Sequence, residues 1–225
     1  MRARKMIYLG IAVFVGAATY FGWKSTARGA YESAEYKVVE TDGSFEIREY
    51  PELLLVTTRS EFAAKADDGS FMRLFRYISG SNDAEQKVAM TTPVFMEPDA
   101  GKTPGQMGFV IPKKIAEQGA PTPKGENVRL QKRTGGRFAV IRFPGRMTRE
   151  TTDAAEAKLR EWIAGRGLEA AEKAEFAGYD PPWTPGPMRR NEILIRLLGA
   201  EEKASPEEET LPRSEPGGTK QDARD

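Results

Sequence analysis

The order of predicted elements repeats once along the chain, and this repeat constrains the fold more than any other feature of the sequence. Between residues 36 and 198, each half is predicted to run strand, strand, helix, strand, strand. Two such units predict an α+β protein with a mixed sheet or open, distorted barrel and two packed helices. The order of the elements carries the repeat rather than residue identity, so chance similarity is the alternative.

Hydrophobic periodicity supports these assignments. Apolar and charged residues alternate at 45–48, the pattern of a half-buried strand, and Asp42-Gly43 before them is a hairpin signal. The predicted strands are 36–39, 45–50, 53–60, 87–96 and 107–111, then 128–133, 137–143, 171–177 and 193–198. The apolar stripes of the two helices are Phe71, Leu74, Phe75 and Ile78 in the first, and Ala155, Leu159, Trp162 and Ile163 in the second.

The first 28 residues are predicted to form a membrane anchor. They hold five basic residues and no acidic one, and residues 6–23 are uncharged. A helix of this length extends about 27 Å, close to the thickness of the hydrocarbon core. The preceding basic residues favour a cytoplasmic N-terminus, which places the folded domain on the non-cytoplasmic, periplasmic-type side. The alternatives are a cleaved signal peptide, giving a secreted or periplasmic protein, and a buried core helix.

The rest of the chain divides into a predicted folded domain, residues 31–199, and a tail, residues 200–225. The tail holds eight acidic and four basic residues, and Leu211 is its only large apolar residue. A segment of this composition cannot bury enough apolar surface to offset chain entropy, so we expect it to be disordered.

The sequence contains no cysteine and no histidine, which excludes several classes of chemistry. Disulfides, iron–sulfur clusters and thiolate zinc sites all need cysteine. Histidine is the commonest general base and metal ligand. Any catalysis would therefore rest on carboxylates, lysine, tyrosine or a bound cofactor. The formal net charge of +1 gives no indication of a nucleic-acid partner.

Two segments of the first half are suited to an apolar ligand. Residues 87–94 form a predicted core strand with an edge proline, Pro93, and methionine side chains that pack adaptably. On the first helix, Met72 and Arg76 project together from one flank. Ordinary core packing and a solvated helix face are the alternative explanations.

A third segment, the loop at residues 179–190, holds four prolines, which stiffen it at low entropic cost. We refer to it as the late loop. It presents Trp183 and Met188 beside Arg189 and Arg190. An apolar surface with a guanidinium rim suits a flat ligand that carries carboxylates. The alternative is an ordinary loop with solvated arginines.

The sequence resembles the SOUL haem-binding family over residues 36–198. The resemblance rests on segments in the family's order: 36–39, 45–50, 71–82, 87–94, 179–185 and 189–192. It implies a distorted barrel of eight or nine strands with two helices, and non-covalent binding of haem or a related tetrapyrrole. The implied groove lies between the first helix and the late loop. At the matching positions its residues are Met72, Phe75, Arg76, Trp183, Met188, Arg189 and Arg190.

One feature departs from the family. Some members are proposed to ligate haem iron through a histidine, which this chain lacks. Methionine, tyrosine, lysine or no protein ligand remains for the iron, so we expect weak haem binding. No residue is predicted to be catalytic or to hold a metal ion directly.

The sequence therefore predicts a membrane-tethered tetrapyrrole-binding protein that acts in buffering, transfer or sensing and is not an enzyme. Two alternatives stay open. The doubled unit is also similar to GyrI-like domains, some relatives of which are small-molecule hydrolases that use glutamate and aromatic residues. A buried glutamate beside a tyrosine or tryptophan in the groove would favour that alternative. The other is a non-catalytic partner-binding domain, which a shallow, filled groove would favour.

Overall fold

The computed structural model describes residues 31–60, 69–99, 105–125, 127–181 and 183–199. Within these ranges, two short strands, β1 (Glu32–Ser33) and β5 (Thr91–Thr92), pair in parallel. The helices are α1 (Ser70–Ile78), α2 (Lys113–Gln118) and α3 (Arg149–Gly165), with a 3-10 turn at Gly186–Met188. The main sheet comprises β2 (Lys37–Asp42), β3 (Phe45–Tyr50), β4 (Leu53–Arg59), β6 (Val94–Glu97), β7 (Gln106–Val110), β8 (Val128–Arg133), β9 (Gly136–Phe143), β10 (Ala170–Gly178) and β11 (Asn191–Leu197).

The two halves of the chain exchange strands across the main sheet, whose order is β2-β3-β9-β11-β10-β6-β7-β4-β8. Strand β3 of the first half pairs with β9 of the second. Strand β8 of the second half pairs with β4 of the first. The series β3-β9-β11-β10 therefore has the same construction as β8-β4-β7-β6, with the halves interchanged, as expected for a doubled unit.

The two connections that make this exchange touch each other. Strand β3 leads into β4 through Pro51 and Glu52, and β8 leads into β9 through Thr134 and Gly135. A Cβ atom on Gly135 would lie 2.7 Å from the Tyr50 carbonyl oxygen and 2.8 Å from the Glu52 backbone nitrogen. Only glycine fits this crossing, because the neighbouring atoms belong to backbone and cannot move aside cheaply.

The sheet buries side chains on both faces. In β9, Ala139 and Ile141 pack on the outer face under α3, whereas Phe138 and Val140 face an inner cluster. Helix α1 covers the other end of the outer face. The inner cluster comprises Ala34, Tyr50, Leu53, Leu55, Phe95, Val110, Phe138, Val140, Ala177, Tyr179 and Leu194.

The α+β prediction is confirmed, but the predicted barrel is not closed, and the main sheet is antiparallel throughout instead of mixed. The ends of the sheet approach each other, since the Arg133 guanidinium of β8 lies 4.9 Å from the Tyr50 ring centre of β3. The two ends of the sheet thus meet through side chains and through the crossing connections. Within the described ranges, no hydrogen-bonded ladder joins edge strands β2 and β8.

Two predicted elements of the first half differ from the structure. The strand expected at 87–96 contains only β5 and β6, because Pro93 separates them and residues 87–90 pair with neither. Val88 is nevertheless buried, as a core residue should be. The sequence analysis did not predict helix α2, which is short and lacks a fully buried residue among its six.

Helix α1 buries Leu74 and Ile78 of the predicted stripe, but not Phe71 and Phe75. Its buried residues are Ser70, Leu74, Tyr77 and Ile78. Tyr77 enters the core because its hydroxyl donates a 2.8 Å hydrogen bond to the Pro121 carbonyl. The buried face is thereby turned away from Phe71 and Phe75, which are 37% and 43% exposed.

Helix α3 agrees with its predicted stripe and begins two residues earlier than expected. Thr148 forms a capping box with Thr151, which satisfies the free amide groups of the first turn. Ala155, Leu159 and Ile163 are buried. Trp162 stacks on Phe45 with ring centres 5.1 Å apart.

The predicted anchor at 6–23 and the predicted tail at 200–225 lie outside the described residues. Among the helices of the described ranges, none combines the length and the apolar character that crossing a bilayer requires.

Candidate functional site

The exposed face of α1 carries three large apolar side chains. Phe71, Met72 and Phe75 lie on adjacent positions of this face, and the Phe71 and Phe75 rings stack with centres 6.2 Å apart. Met72 is 47% exposed, and the exposed Arg76 follows one turn later. Contiguous exposed apolar residues beside a cation form a surface suited to an amphipathic ligand.

The late loop presents the second group of exposed apolar residues. Trp183 is 70% exposed and Met188 is 56% exposed. Hydrogen bonds hold the loop in place: the Arg190 amide donates to the Asp180 carboxylate at 2.6 Å, and the Gly145 amide donates to the Gly186 carbonyl at 3.0 Å. The predicted stiffness of this loop therefore rests on hydrogen bonds as well as on its prolines.

The two predicted rim arginines have different surroundings. Arg189 is partly exposed, and its Nε donates a 2.8 Å hydrogen bond to the Thr184 carbonyl within the loop. Arg190 is largely buried; it donates to the Glu192 carboxylate at 2.6 and 2.8 Å, and its guanidinium lies 4.0 Å from the Tyr179 ring centre. Arg190 is thus held by the protein itself.

Below the late loop lies a buried charge network that the sequence analysis missed. Glu192 and Arg48 are fully buried and form a two-pronged ion pair, with N···O distances of 2.6 and 3.0 Å. The Tyr179 hydroxyl donates to Glu192 at 2.9 Å, and Arg48 also donates to Glu46 at 2.7 Å. The network includes both ends of the late loop, because Tyr179 is its first residue and Arg190 its last.

The electrostatics of the network fix its protonation state. Burial alone would raise the pKa of the Glu192 carboxyl, but the hydrogen bonds and charge of Arg48, together with Arg190, outweigh it and lower the pKa. Burial raises the pKa of the Tyr179 hydroxyl, so it stays protonated. A carboxylate held by two guanidinium groups is a poor proton acceptor, so this buried glutamate lacks the property that a hydrolytic general base needs.

The alternation at 45–48 predicted that Glu46 and Arg48 would face solvent. Arg48 is instead fully buried, because β3 packs on both faces. The available signal was the run Glu46, Arg48, Tyr50 on one strand face, which joins an acid, a base and an aromatic residue.

The predicted site residues occupy two segments with different neighbours. Helix α1 packs on β4, β7 and β8, whereas the late loop packs on Tyr36, Gly145 and the start of β11. A single groove that includes both segments stays a prediction. Among the described residues, no cluster of three or more acidic side chains forms a candidate metal site.

The fold and these surfaces define an α+β domain that offers apolar side chains and guanidinium groups to an amphipathic ligand. The SOUL heme-binding protein family matches residues 31–196, and the chain belongs to this family. Heme-binding protein 1 of Xenopus tropicalis is 30% identical over 183 residues, covering 76% of this chain and 94% of the relative. Heme-binding protein 2 of Homo sapiens is 28% identical over 174 residues, covering 68% of this chain and 84% of the relative.

Solved structures share the fold at low sequence identity. The C-terminal domain of EcmrR has a TM-score of 0.50 at 14% identity, covering 72% of this chain and 98% of that chain. A hydrolase from Listeria innocua has a TM-score of 0.51 at 12% identity, covering 71% of this chain and 94% of that chain. These likenesses support the α+β architecture alone.

Proposed function

We propose that this protein binds haem or a related tetrapyrrole non-covalently, as a buffer, carrier or sensor without catalysis of its own. Family membership and the names of the curated relatives support haem as the ligand. The structural observation that most supports this proposal is the exposure of large apolar side chains on α1 and the late loop. Such residues gain free energy when a flat apolar ligand covers them.

Each residue of the proposed groove has a role that follows from its side chain. Met72, Phe75, Trp183 and Met188 contact the apolar macrocycle. Haem supplies a flat apolar disc, two propionates and an iron atom. The exposed Arg76 follows Phe75 in the chain and the partly exposed Arg189 follows Met188. Their guanidinium groups are suited to pair with the propionate carboxylates.

Arg190 acts on the groove indirectly. Its guanidinium is engaged by Glu192, Tyr179 and the Tyr36 hydroxyl, so we assign it to holding the late loop in position. We retain the proposal that no histidine ligates the iron, because the sequence has none. With apolar contact and propionate pairing as the main contributions, we expect affinity in the micromolar range, a binding free energy of about −8 kcal/mol.

Titration of residues 31–199 with haemin and with metal-free protoporphyrin IX tests this function. Both ligands are expected to bind with similar affinity, since iron coordination contributes little. Trp183→Ala removes on the order of 60 Å² of apolar contact, about 1.5 kcal/mol, and should weaken both ligands about tenfold. Absorbance and tryptophan quenching report binding.

Val39→Ala is the control, because Val39 is also an exposed apolar residue but lies on edge strand β2, outside the proposed groove. It should leave both affinities unchanged. Tight binding of haemin without any binding of protoporphyrin would show that an iron ligand dominates. If neither ligand bound at tens of micromolar, the tetrapyrrole function would be wrong.

We propose further that residues 6–23 tether the domain to a membrane, with the domain on the non-cytoplasmic side. The uncharged span behind three basic residues supports this. The full-length protein should stay with membranes after a carbonate wash, whereas a chain that begins at Tyr31 should be released. A mature protein beginning at Ala18 or Thr19 would favour signal cleavage and contradict the tether.

A further inference from the structure

Arg133, which packs on the Tyr50 ring next to the Glu192 network, is a buried cation with unpaired donors. Its Nε donates a 2.7 Å hydrogen bond to Glu175, and its side chain is 9% exposed. Both terminal nitrogens, Nη1 and Nη2, are buried and have no hydrogen-bond partner. Buried polar groups in proteins are nearly always hydrogen-bonded, so this pair of donors calls for an acceptor.

Aromatic rings hold the Arg133 guanidinium in a fixed orientation. Its central carbon lies 4.3 Å from the ring centre of Phe138, 4.6 Å from that of Phe95 and 4.9 Å from that of Tyr50. These cation–π contacts compensate part of the cost of burial, but they leave the in-plane N–H groups unpaired. The edge that bears Nη1 and Nη2 therefore has no acceptor among the described residues.

A cavity of about 200 Å³ adjoins this guanidinium, with Leu55, Phe95 and Gln131 among its walls. Gly108 keeps one wall open, since a Cβ atom there would lie 2.9 Å from Leu55 Cδ2. At roughly 30 Å³ per water molecule, the volume suits a small organic molecule and excludes a tetrapyrrole.

The unpaired donors of Arg133, rather than a surplus of charge, favour an anion. Glu175 pairs with Arg133, and Arg196 donates to the backbone carbonyls of Thr134 and Gly135. Lys132, at the exposed rim, pairs with Glu52 at 2.9 Å, and Glu97 adds a negative charge there. The charges around the cavity are therefore balanced, and the two Nη groups remain the donors that lack an acceptor.

We infer that this cavity is a second binding site, which takes a small organic monocarboxylate through the Nη1–Nη2 edge of Arg133. A carboxylate accepts both N–H groups of this edge in a bidentate pair. Leu55 and Phe95 contact the apolar part of the ligand. The site is separate from the proposed tetrapyrrole groove, since it lies on the inner face of the sheet, whereas α1 covers the outer face.

Benzoate is the probe, and benzamide is its neutral control of the same shape. In the full-length protein, benzoate should shift the Arg133 Nε–Hε resonance and bind at least tenfold more tightly than benzamide. Arg133→Met should weaken benzoate at least tenfold. Arg137→Met, an exposed arginine of β9, should leave benzoate binding unchanged.

If Arg133→Met fails to fold, the Arg133 Nε–Hε resonance of the unmodified protein still tests the inference. An unshifted Arg133 resonance at saturating benzoate would show that the cavity holds water only. Equal binding of benzamide would show that charge is not recognised, and either result overturns the inference. Haemin should not displace benzoate, so a failure of haem binding leaves this test unaffected.

Discussion

Glu192→Gln should lower the free energy of unfolding by about 3–5 kcal/mol, the usual cost of breaking a fully buried ion pair. The substitution leaves the Arg48 guanidinium fully buried without its main counter-charge. Urea unfolding of residues 31–199 measures the change. The matched control is Glu40→Gln, which removes a half-exposed carboxylate paired with Arg166 and should cost at most about 1 kcal/mol.

The double variant Arg48→Met/Glu192→Leu distinguishes the cost of a broken ion pair from the cost of losing both charged groups. Removing both charges should restore part of the stability, because the fully buried guanidinium is then absent, whereas Arg190 still lacks its carboxylate partner. If Glu192→Gln cost no more than Glu40→Gln, the network would not stabilise the fold.

The same carboxyl determines a pH dependence. Because the folded pKa of Glu192 is lowered, the ion pair contributes its full stability above the pKa of the unfolded chain, about 4.3. That stability is lost as the pH falls through the lower folded pKa. The acid-induced loss should therefore be smaller in Glu192→Gln than in the unmodified protein, when both are followed by urea unfolding between about pH 3 and pH 7.

The largest expected effect is the loss of all cooperative structure when the halves are separated. Residues 31–111 alone lack one partner of β3 and one partner of β4, because these strands pair with β9 and β8 of the second half. Neither residues 31–111 nor residues 112–199 should show a cooperative unfolding transition by circular dichroism. An equimolar mixture should recover one, since each fragment supplies the strands that the other lacks.

Residues 31–199, with both halves in one chain, are the control and should unfold in a single transition. A first half that alone unfolded cooperatively, with the stability of the intact domain, would contradict the strand exchange.

Local patterns in the sequence predicted most of the elements. The alternation at 45–48 gave β3, Asp42-Gly43 gave the hairpin before it, and the stripe of Ala155, Leu159 and Ile163 gave α3. These patterns were sufficient because each element has one period and a recognisable turn or cap. The strand exchange was not predictable, since the same hydrophobic pattern is compatible with pairing inside or between the halves.

In the candidate site, too, residues within one local segment could be predicted, whereas contacts between distant segments could not. The exposed Met72, Trp183 and Met188 belong to local segments that the sequence identified, whereas the Arg48–Glu192 pair joins residues that are 144 positions apart. A charged residue on a strand that is buried on both faces looks like a solvent-facing residue in the sequence. The rotation of α1 was missed because the Tyr77 hydrogen bond to Pro121 involves a loop with no periodic pattern.

The position of β11 has a consequence for biosynthesis. This strand is the last of the described sheet to leave the ribosome, yet it lies between β9 and β10 in the interior of the sheet. At about 5–20 residues per second, roughly 7–30 s separate the synthesis of β3 from that of β11. Once β9 and β10 have been synthesised, each keeps an open edge that only residues 191–197 can cover, so the sheet is completed after translation of the domain and not during it.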